Sequence, residues 1–298
     1  MKKRMLFGLV VSFMLALMLV GCGGNTKEQG GENVKAESTL EKAKSQGYIT
    51  VGFANEAPYA YATPDGKLTG EAVEVARAIF NNMGIQEMNG VLTEFGSLIP
   101  GLKANRFDVI TAGMYITEPR SKEVEFANPE YTIGEAIAVK AGNPLNLHSY
   151  QDIAANSKVK IGVMAGAVEF DMVVKSGVAK EQIVTVPDQP SALAALQAGR
   201  VDVITMSGPA LQTMLDNAKD SRVERVMDFT QPIIDGKAAQ SFGAAAFRKE
   251  DKDFAEAYNQ ELEKLKQSGQ LLEILKEFGF TEQEFPGDMT VEKVLSGQ

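Results

Sequence analysis

The sequence predicts a two-lobed α/β protein: two mainly parallel sheets, each flanked by helices, either side of a hinged cleft. Three observations lead there. One pattern occurs twice, 94 residues apart. Strand-like runs alternate with helix-like ones along the chain. Two stretches rich in small residues, Val139–Asn143 and Lys237–Gly243, lie where a chain could cross between lobes.

The chain opens with Lys2, Lys3 and Arg4, then runs apolar from Met5 to Val20 except at Gly8 and Ser12, and reaches Leu19-Val20-Gly21-Cys22. The run is short for a membrane span, and its basic front fits a secretory signal over residues 1–21. Cys22 is the only cysteine, which excludes a disulfide framework and a thiolate metal site. Losing three cations with the signal takes the net charge from −9 to −12, a surface that repels phosphate backbones and argues against nucleic-acid binding. Residues 22–37 are mostly Gly, Asn, Lys, Glu and Gln, a tether with little to bury. About 260 residues follow, enough for two cores.

Ile49–Ala54 reads as a strand. Glu71–Met83 carries Ala72, Val75, Ala76 and Ile79 at helical spacing, with Gly84 as its stop. "LIPGLKANRFDVITAG" (Leu98–Gly113) and "ALAALQAGRVDVITMS" (Ala192–Ser207) share Leu102/Leu196, Ala104/Ala198, Arg106/Arg200 and the runs beginning at Asp108 and Asp202. Each reads as helix, turn and buried β-branched strand, and two copies fit two similar lobes better than a solenoid. Further strands are expected at Val91–Phe95, Ala136–Val139, Lys158–Val163, Ile183–Val186, Val223–Val226 and Phe242–Phe247. Helices are expected at Val168–Lys175, Pro209–Asn217, Asp251–Lys266 and Gln270–Phe278. Crossings at the two small-residue stretches make lobe I 38–139 plus 240–298 and lobe II 140–239, with a ligand cleft at the carboxyl ends of the strands.

The Leu-Val-Gly-Cys stretch resembles a bacterial lipobox, in which the cysteine, here Cys22, is lipidated. With "VGFANEAPYAYATPDGKLTGEAVEVARAIF", "AGMYITEPRSKEVEFANPEY" and "LEKLKQSGQLLEILKEFGF", the mature chain resembles the family 3 solute-binding proteins of ABC importers over essentially its whole length. More closely, "GFANEAPY", "VLTEFGSLIPGLKANRFDVITAGMYITEPR" and "AAAFRK" resemble the ectoine/hydroxyectoine-binding branch. The resemblance implies a monomeric, lipid-anchored protein on the outer face of the cell membrane that passes a small zwitterionic solute to a permease and its ATPase. It implies no cofactor and no metal.

Carried over residue by residue, the resemblance gives Arg120 of the Thr117-Glu118-Pro119-Arg120 stretch the ligand's carboxylate, which its planar fork suits, and counts Thr117 among the contacts. It gives Tyr59, Phe95 and Tyr115 a cage for a delocalised ring cation, and Glu56 that cation's N–H. Alone, each ring would be core and Glu56 a solvated loop acid. Tyr61 is assigned to packing or the rim, and Glu74 to a solvated helix face. Many relatives that bind α-amino acids carry an aspartate five residues beyond the second repeat's Asp202. Here that position is Ser207, so an α-ammonium lacks its usual partner. The second-lobe loop "MAGAVEF" has Val168 where the branch has threonine, leaving Gly166, Ala167 and Val168 to offer backbone N–H groups.

Catalysis has little to stand on: His148 is the only histidine, and no nucleophile elbow or P-loop is present. Three alternatives stay open: a polar amino-acid-binding protein, a sensory lipoprotein, and an enzyme similar to the cyclohexadienyl dehydratases of this fold.

Overall fold

The two copies of the repeat fold alike, down to one hydrogen-bond pair. Asp108 accepts the Thr50 N–H through Oδ2 at 3.2 Å and donates its own N–H to the Thr50 carbonyl at 2.8 Å. Asp202 does the same with Lys160, at 2.9 Å and 2.8 Å. Each aspartate thus pins the start of a repeat strand to the neighbouring strand.

The computed structural model describes residues 37–234 and 236–297. The expected signal, Cys22 and nearly all of the tether lie outside the described residues. The first lobe begins with α1 (Thr39–Gln46), β1 (Tyr48–Phe53), the hairpin β2 (Tyr61–Ala62) and β3 (Leu68–Thr69), and α2 (Glu71–Asn82). It continues with β4 (Glu87–Leu92), a 3₁₀ turn (Phe95–Ser97), α3 (Leu98–Lys103), β5 (Val109–Tyr115), α4 (Glu118–Glu123), β6 (Glu125–Phe126) and β7 (Tyr131–Ile133). The second lobe comprises β8 (Glu135–Lys140), α5 (Tyr150–Ala155), β9 (Ile161–Met164), α6 (Glu169–Lys175), β10 (Ile183–Val186), α7 (Gln189–Gln197), β11 (Val203–Ser207), α8 (Gly208–Ala218) and β12 (Val223–Arg225). A hairpin, β13 (Ile233–Ile234) and β14 (Lys237–Ala238), precedes β15 (Ser241–Phe247), which returns to the first lobe ahead of α9 (Lys252–Ser268), α10 (Gln270–Glu277) and α11 (Val291–Ser296).

The first sheet runs β4-β1-β5-β15-β6, with β7 also on β15, and the second runs β10-β9-β11-β8-β12. Strands β4, β1 and β5 are parallel, as are β10, β9 and β11. Both sheets are nevertheless mixed, because β15 and β8, arriving from the opposite lobe, join antiparallel. Strand β8 belongs to the second sheet, so the chain changes sheets at Gly134 rather than at Val139–Asn143. The latter stretch is the end of β8 and a turn with positive φ at Gly142 and Asn143. Its small residues mark that turn, not a hinge. The expected strand Val91–Phe95 also moves: β4 ends at Leu92 and Phe95 opens the 3₁₀ turn. Gly90 weakened the strand signal, yet a Cβ there would meet the Phe53 ring at 2.9 Å, so the glycine admits close packing.

The C-terminal helices close the first lobe. Phe80 of α2 meets Phe254 and Tyr258 of α9 with ring centroids 6.0 and 5.8 Å apart, and Phe247 of β15 lies 5.0 Å from Phe254. Truncating such a fully buried ring costs about 3–5 kcal/mol. Beside this cluster, Glu71 and Glu130 are wholly buried. Tyr258 donates its hydroxyl to Glu130 at 2.7 Å, whereas neither Glu71 carboxyl oxygen has a partner among the described residues. Burial, then the neighbouring Glu130, pushes Glu71 well above the usual carboxylate range. Glu130 is pushed up to about 7 by burial, against the opposing pull of Tyr258, the Ala245 backbone and Lys266.

An acid whose pKa rises on folding contributes stability that is complete below its unfolded pKa and is lost as pH climbs through the folded one. The thermal midpoint is therefore expected to fall between pH 5 and pH 8.5. Glu130→Gln should remove roughly 1–3 kcal/mol of that dependence. A variant with the wild-type slope would show that the pair does not titrate in this window.

Candidate ligand-binding site

The loop after β1 folds on itself to present two side chains together. Asn55 has φ 54°, and its Oδ1 accepts the Ala62 N–H at 2.9 Å. The Glu56 N–H donates to the Ala60 carbonyl at 2.7 Å, while Tyr59 and Ala60 donate back to the Glu56 carbonyl at 2.9 and 3.0 Å. Phe95 follows β4, and Tyr115 is the last residue of β5. All these positions are at carboxyl ends of parallel strands. Thr117 caps α4 by accepting the Arg120 N–H at 3.3 Å, which fixes the turn that returns the Arg120 side chain to Tyr115. Facing them, Met164 ends β9, Ala167, Val168 and Glu169 lead into α6, and Ser207 ends β11. Glu56, Tyr59, Phe95, Tyr115, Arg120 and Gly113 from one side, with Met164, Ala167, Val168, Glu169 and Ser207 from the other, line one tightly closed-in cavity of about 20 Å³, room for little more than a water with the side chains as they stand.

Gly113 has φ +61°, and a Cβ there would meet the Tyr59 ring at 2.6 Å. The missing side chain lets Tyr59 stack on Tyr131, with centroids 5.2 Å apart, while Tyr115 meets Tyr131 edge-on at 6.5 Å. Tyr59, Phe95 and Tyr115 are all buried. Arg120 donates from Nη1 to the Tyr115 carbonyl and from Nη2 to the Gly166 carbonyl, both at 2.9 Å, and its Cζ lies 5.4 Å from the Phe95 centroid. These bonds use two of a guanidinium's five donors.

Several contacts join the lobes. Tyr59 donates its hydroxyl to Ser207 Oγ at 2.7 Å, Gln189 donates to Glu56, and Arg120 reaches Gly166. A Cβ on Gly166 would stand 2.6 Å from the Gly96 Cα, so the backbones themselves nearly touch. Burial, then Glu169, pushes Glu56 up to about 8, against the pull of Arg120 and Gln189. Burial lowers the Arg120 pKa, and Glu169 is the first of the groups that oppose it.

Glu56, Tyr59, Phe95, Tyr115, Arg120, Ala167, Val168 and Ser207 all line the one cavity. Two expected contacts stand differently. Thr117 is a cap that orients Arg120, and Gly166 meets Arg120 through its carbonyl rather than offering an N–H to a carboxylate. Val168 occupies the N-cap position of α6 with no side-chain cap. Sequence reasoning missed Glu169, Met164 and Gly113 in the wall, and Gln189 behind Glu56. Glu169 was in plain view, next to Val168 in "MAGAVEF". Tyr61 is half-buried in the β2–β3 hairpin, and Glu74 is paired with Arg77 at 2.9 Å instead of solvated. His148 pairs with Asp228 at 2.8 Å and is not among the cavity's lining residues. Among the described residues no group of three His, Cys, Asp or Glu side chains could hold a metal, and no helix is long and apolar enough to cross a membrane.

Two mixed α/β lobes with a closed polar and aromatic cavity between them define the bilobal solute-binding class. Residues 49–282 match the family of bacterial extracellular solute-binding proteins, family 3, and the chain belongs to it. A crystal structure of EhuB in complex with hydroxyectoine superposes with a TM-score of 0.76 at 38% identity, covering 82% of this chain and 93% of that one. A probable amino-acid ABC transporter periplasmic-binding protein of Sinorhizobium fredii, y4tE, is 40% identical over 81% of this chain and 80% of its own length. An ancestral arginine-binding protein bound to arginine superposes with a TM-score of 0.69 at 28% identity, over 78% of this chain and 98% of that one. The family consists of transport binding proteins that deliver small solutes to an ABC importer's permease, outside the cytoplasm.

The Glu56 carboxyl holds its proton up to about pH 8 in the closed protein, whereas a cation's N–H is best accepted by the carboxylate. Affinity for a ligand of constant positive charge should therefore rise between pH 6 and pH 8.5. In Glu56→Gln that rise should disappear, with binding weakened roughly 10- to 100-fold, as for a lost hydrogen bond to a charged group. Calorimetric titration across this range is the check, and an unchanged slope in the variant would remove Glu56 from the ligand's cation.

Proposed function

We propose that the solute is a compact zwitterion of the ectoine/hydroxyectoine class, captured by closure of the two lobes and handed to the permease. One observation carries the reading: a single cavity is lined by the Arg120 guanidinium, three aromatic faces and Glu56. Arg120 takes the carboxylate, Tyr59, Phe95 and Tyr115 enclose a delocalised cation, and Glu56 accepts its N–H. Each good cation–ring contact contributes roughly 0.5–2 kcal/mol. Ser207 stands where an acid would hold an α-ammonium, and its hydroxyl is already occupied by Tyr59. The likeness to EhuB, solved with hydroxyectoine, supports the same choice. Closure is stabilised by contacts that exist only with the lobes together: Tyr59 to Ser207, Gln189 to Glu56 and Arg120 to Gly166.

A second reading, a polar or basic amino acid, is favoured by Glu169, an acid in the cavity wall able to meet an ammonium or guanidinium. Likeness to an arginine-bound ancestral protein points the same way. Calorimetry of the soluble domain against ectoine, hydroxyectoine, glycine betaine, arginine, histidine and glutamine separates the two. Ectoine or hydroxyectoine should bind tightest, and a clear preference for an amino acid would overturn the first reading. Arg120→Ala should cost roughly 30- to 1,000-fold for any carboxylate ligand, the range for truncating one partner of a buried charge pair.

The reading includes a lipid anchor at Cys22, motivated by Leu19-Val20-Gly21-Cys22 after a basic and apolar leader. Cys22→Ala should move the protein from the membrane to the soluble fraction without altering ligand affinity. Retention on the membrane would remove the anchor.

A further inference from the structure

The cavity's second acid is not isolated. Glu169 opens α6 and is 7% exposed, and Glu135, at the first position of β8 beside the chain crossing, is 3% exposed. The two carboxyl groups act on each other, and Glu135 Oε2 has no hydrogen-bond partner among the described residues. Glu135 is itself held by three hydrogen bonds from two residues. The Gln231 side chain accepts its N–H and donates to its carbonyl, both at 2.8 Å, and Ser241 of β15 donates to its carboxyl at 3.5 Å. Nothing in the capture of a zwitterion by Arg120, the rings and Glu56 uses this pair.

We infer that Glu169, oriented by Glu135, is the second acceptor for the ligand's cation, so that the site selects cations bearing N–H donors on two edges over quaternary ammonium ions. The inference rests on the reading of a zwitterion whose carboxylate Arg120 holds. Glu56 comes from the first lobe and Glu169 from the second, and both line the cavity that the three rings line, so a cation there meets a carboxyl group from each lobe. An amidinium or guanidinium can donate to both at once. A quaternary ammonium has no N–H and would offer neither carboxyl group a donor, a mismatch that hydrogen-bonding sites turn into strong rejection.

The two acids of the pair are not equivalent. Burial raises both acids; Glu169 raises Glu135 further, while Glu135 and a backbone N–H oppose the rise of Glu169. Glu135 is therefore the acid of the two that favours the proton, and Glu169 is the one that lines the cavity. The charged and titratable groups around Glu169 are Glu135 on β8, Glu56 on the loop after β1, Arg120 on α4, Tyr115 on β5 and Tyr150 on α5. Glu135 is a positioning residue: it acts on the ligand only through Glu169.

The test is calorimetry of the wild type, Glu169→Gln, Glu169→Asp, Glu135→Gln and Glu135→Leu with ectoine, arginine and glycine betaine, alongside thermal unfolding of each. The wild type should favour an N–H cation over glycine betaine by at least about 100-fold. Glu169→Gln should lose at least about 10-fold for the N–H ligand and narrow the gap to glycine betaine. Glu169→Asp, with its carboxylate retracted, should fall between it and the wild type. Glu135→Gln, whose amide can donate to Glu169, should keep most of the affinity that Glu135→Leu loses. Wild-type affinity in a folded Glu169→Gln protein, or preference for glycine betaine, would overturn the inference. If the wild type binds arginine and ignores ectoine while Glu169→Gln loses arginine, the ectoine reading falls and the role of Glu169 stands.

Discussion

The structure turns on one half-buried cation. Arg120 sits where two lobes meet, and a guanidinium partly withdrawn from water needs acceptors for its N–H groups. Two carbonyls supply them, Tyr115 from its own lobe and Gly166 from the other. The rest follows from keeping that group in place. The Thr117 cap starts the helix at the right residue, the end of β5 delivers Tyr115, and the glycine at position 166 lets the opposing loop come within reach.

Around that cation the protein gathers acids. Glu56 and Glu169 both feel Arg120 in the direction that favours their ionised forms, yet burial outweighs it and raises both. A deeper pair, Glu71 and Glu130, lies under the aromatic layer formed by Tyr59 and Tyr131, with Glu71 acting electrostatically on both rings.

What the sequence made legible was local. The repeat announced two lobes because the same Asp-Val-Ile-Thr run does the same work at Thr50 and Lys160. Glu56 with Tyr59, and Thr117 with Arg120, sit within a few residues of one another, so their motifs could be read directly. Glu135 and Gln189 could not be, because each reaches the site through pairing or closure with distant chain: Glu135 lies opposite Ser207 in the β8–β11 register, and Gln189 meets Glu56 across the cleft. The crossing point was misplaced for a related reason. Apolar alternation over Ala136–Val139 marks a strand but carries no information about which sheet adopts it.

The near contact of Gly96 with Gly166 sets the spacing of the two lobes at this point by backbone rather than by side chains. Side chains around the ligand can then be exchanged for others without changing how far the lobes travel. Recognition and motion are written in different parts of the chain. A lineage could shift from one solute to another by altering the walls alone, and the permease would still meet a closed protein of the same shape.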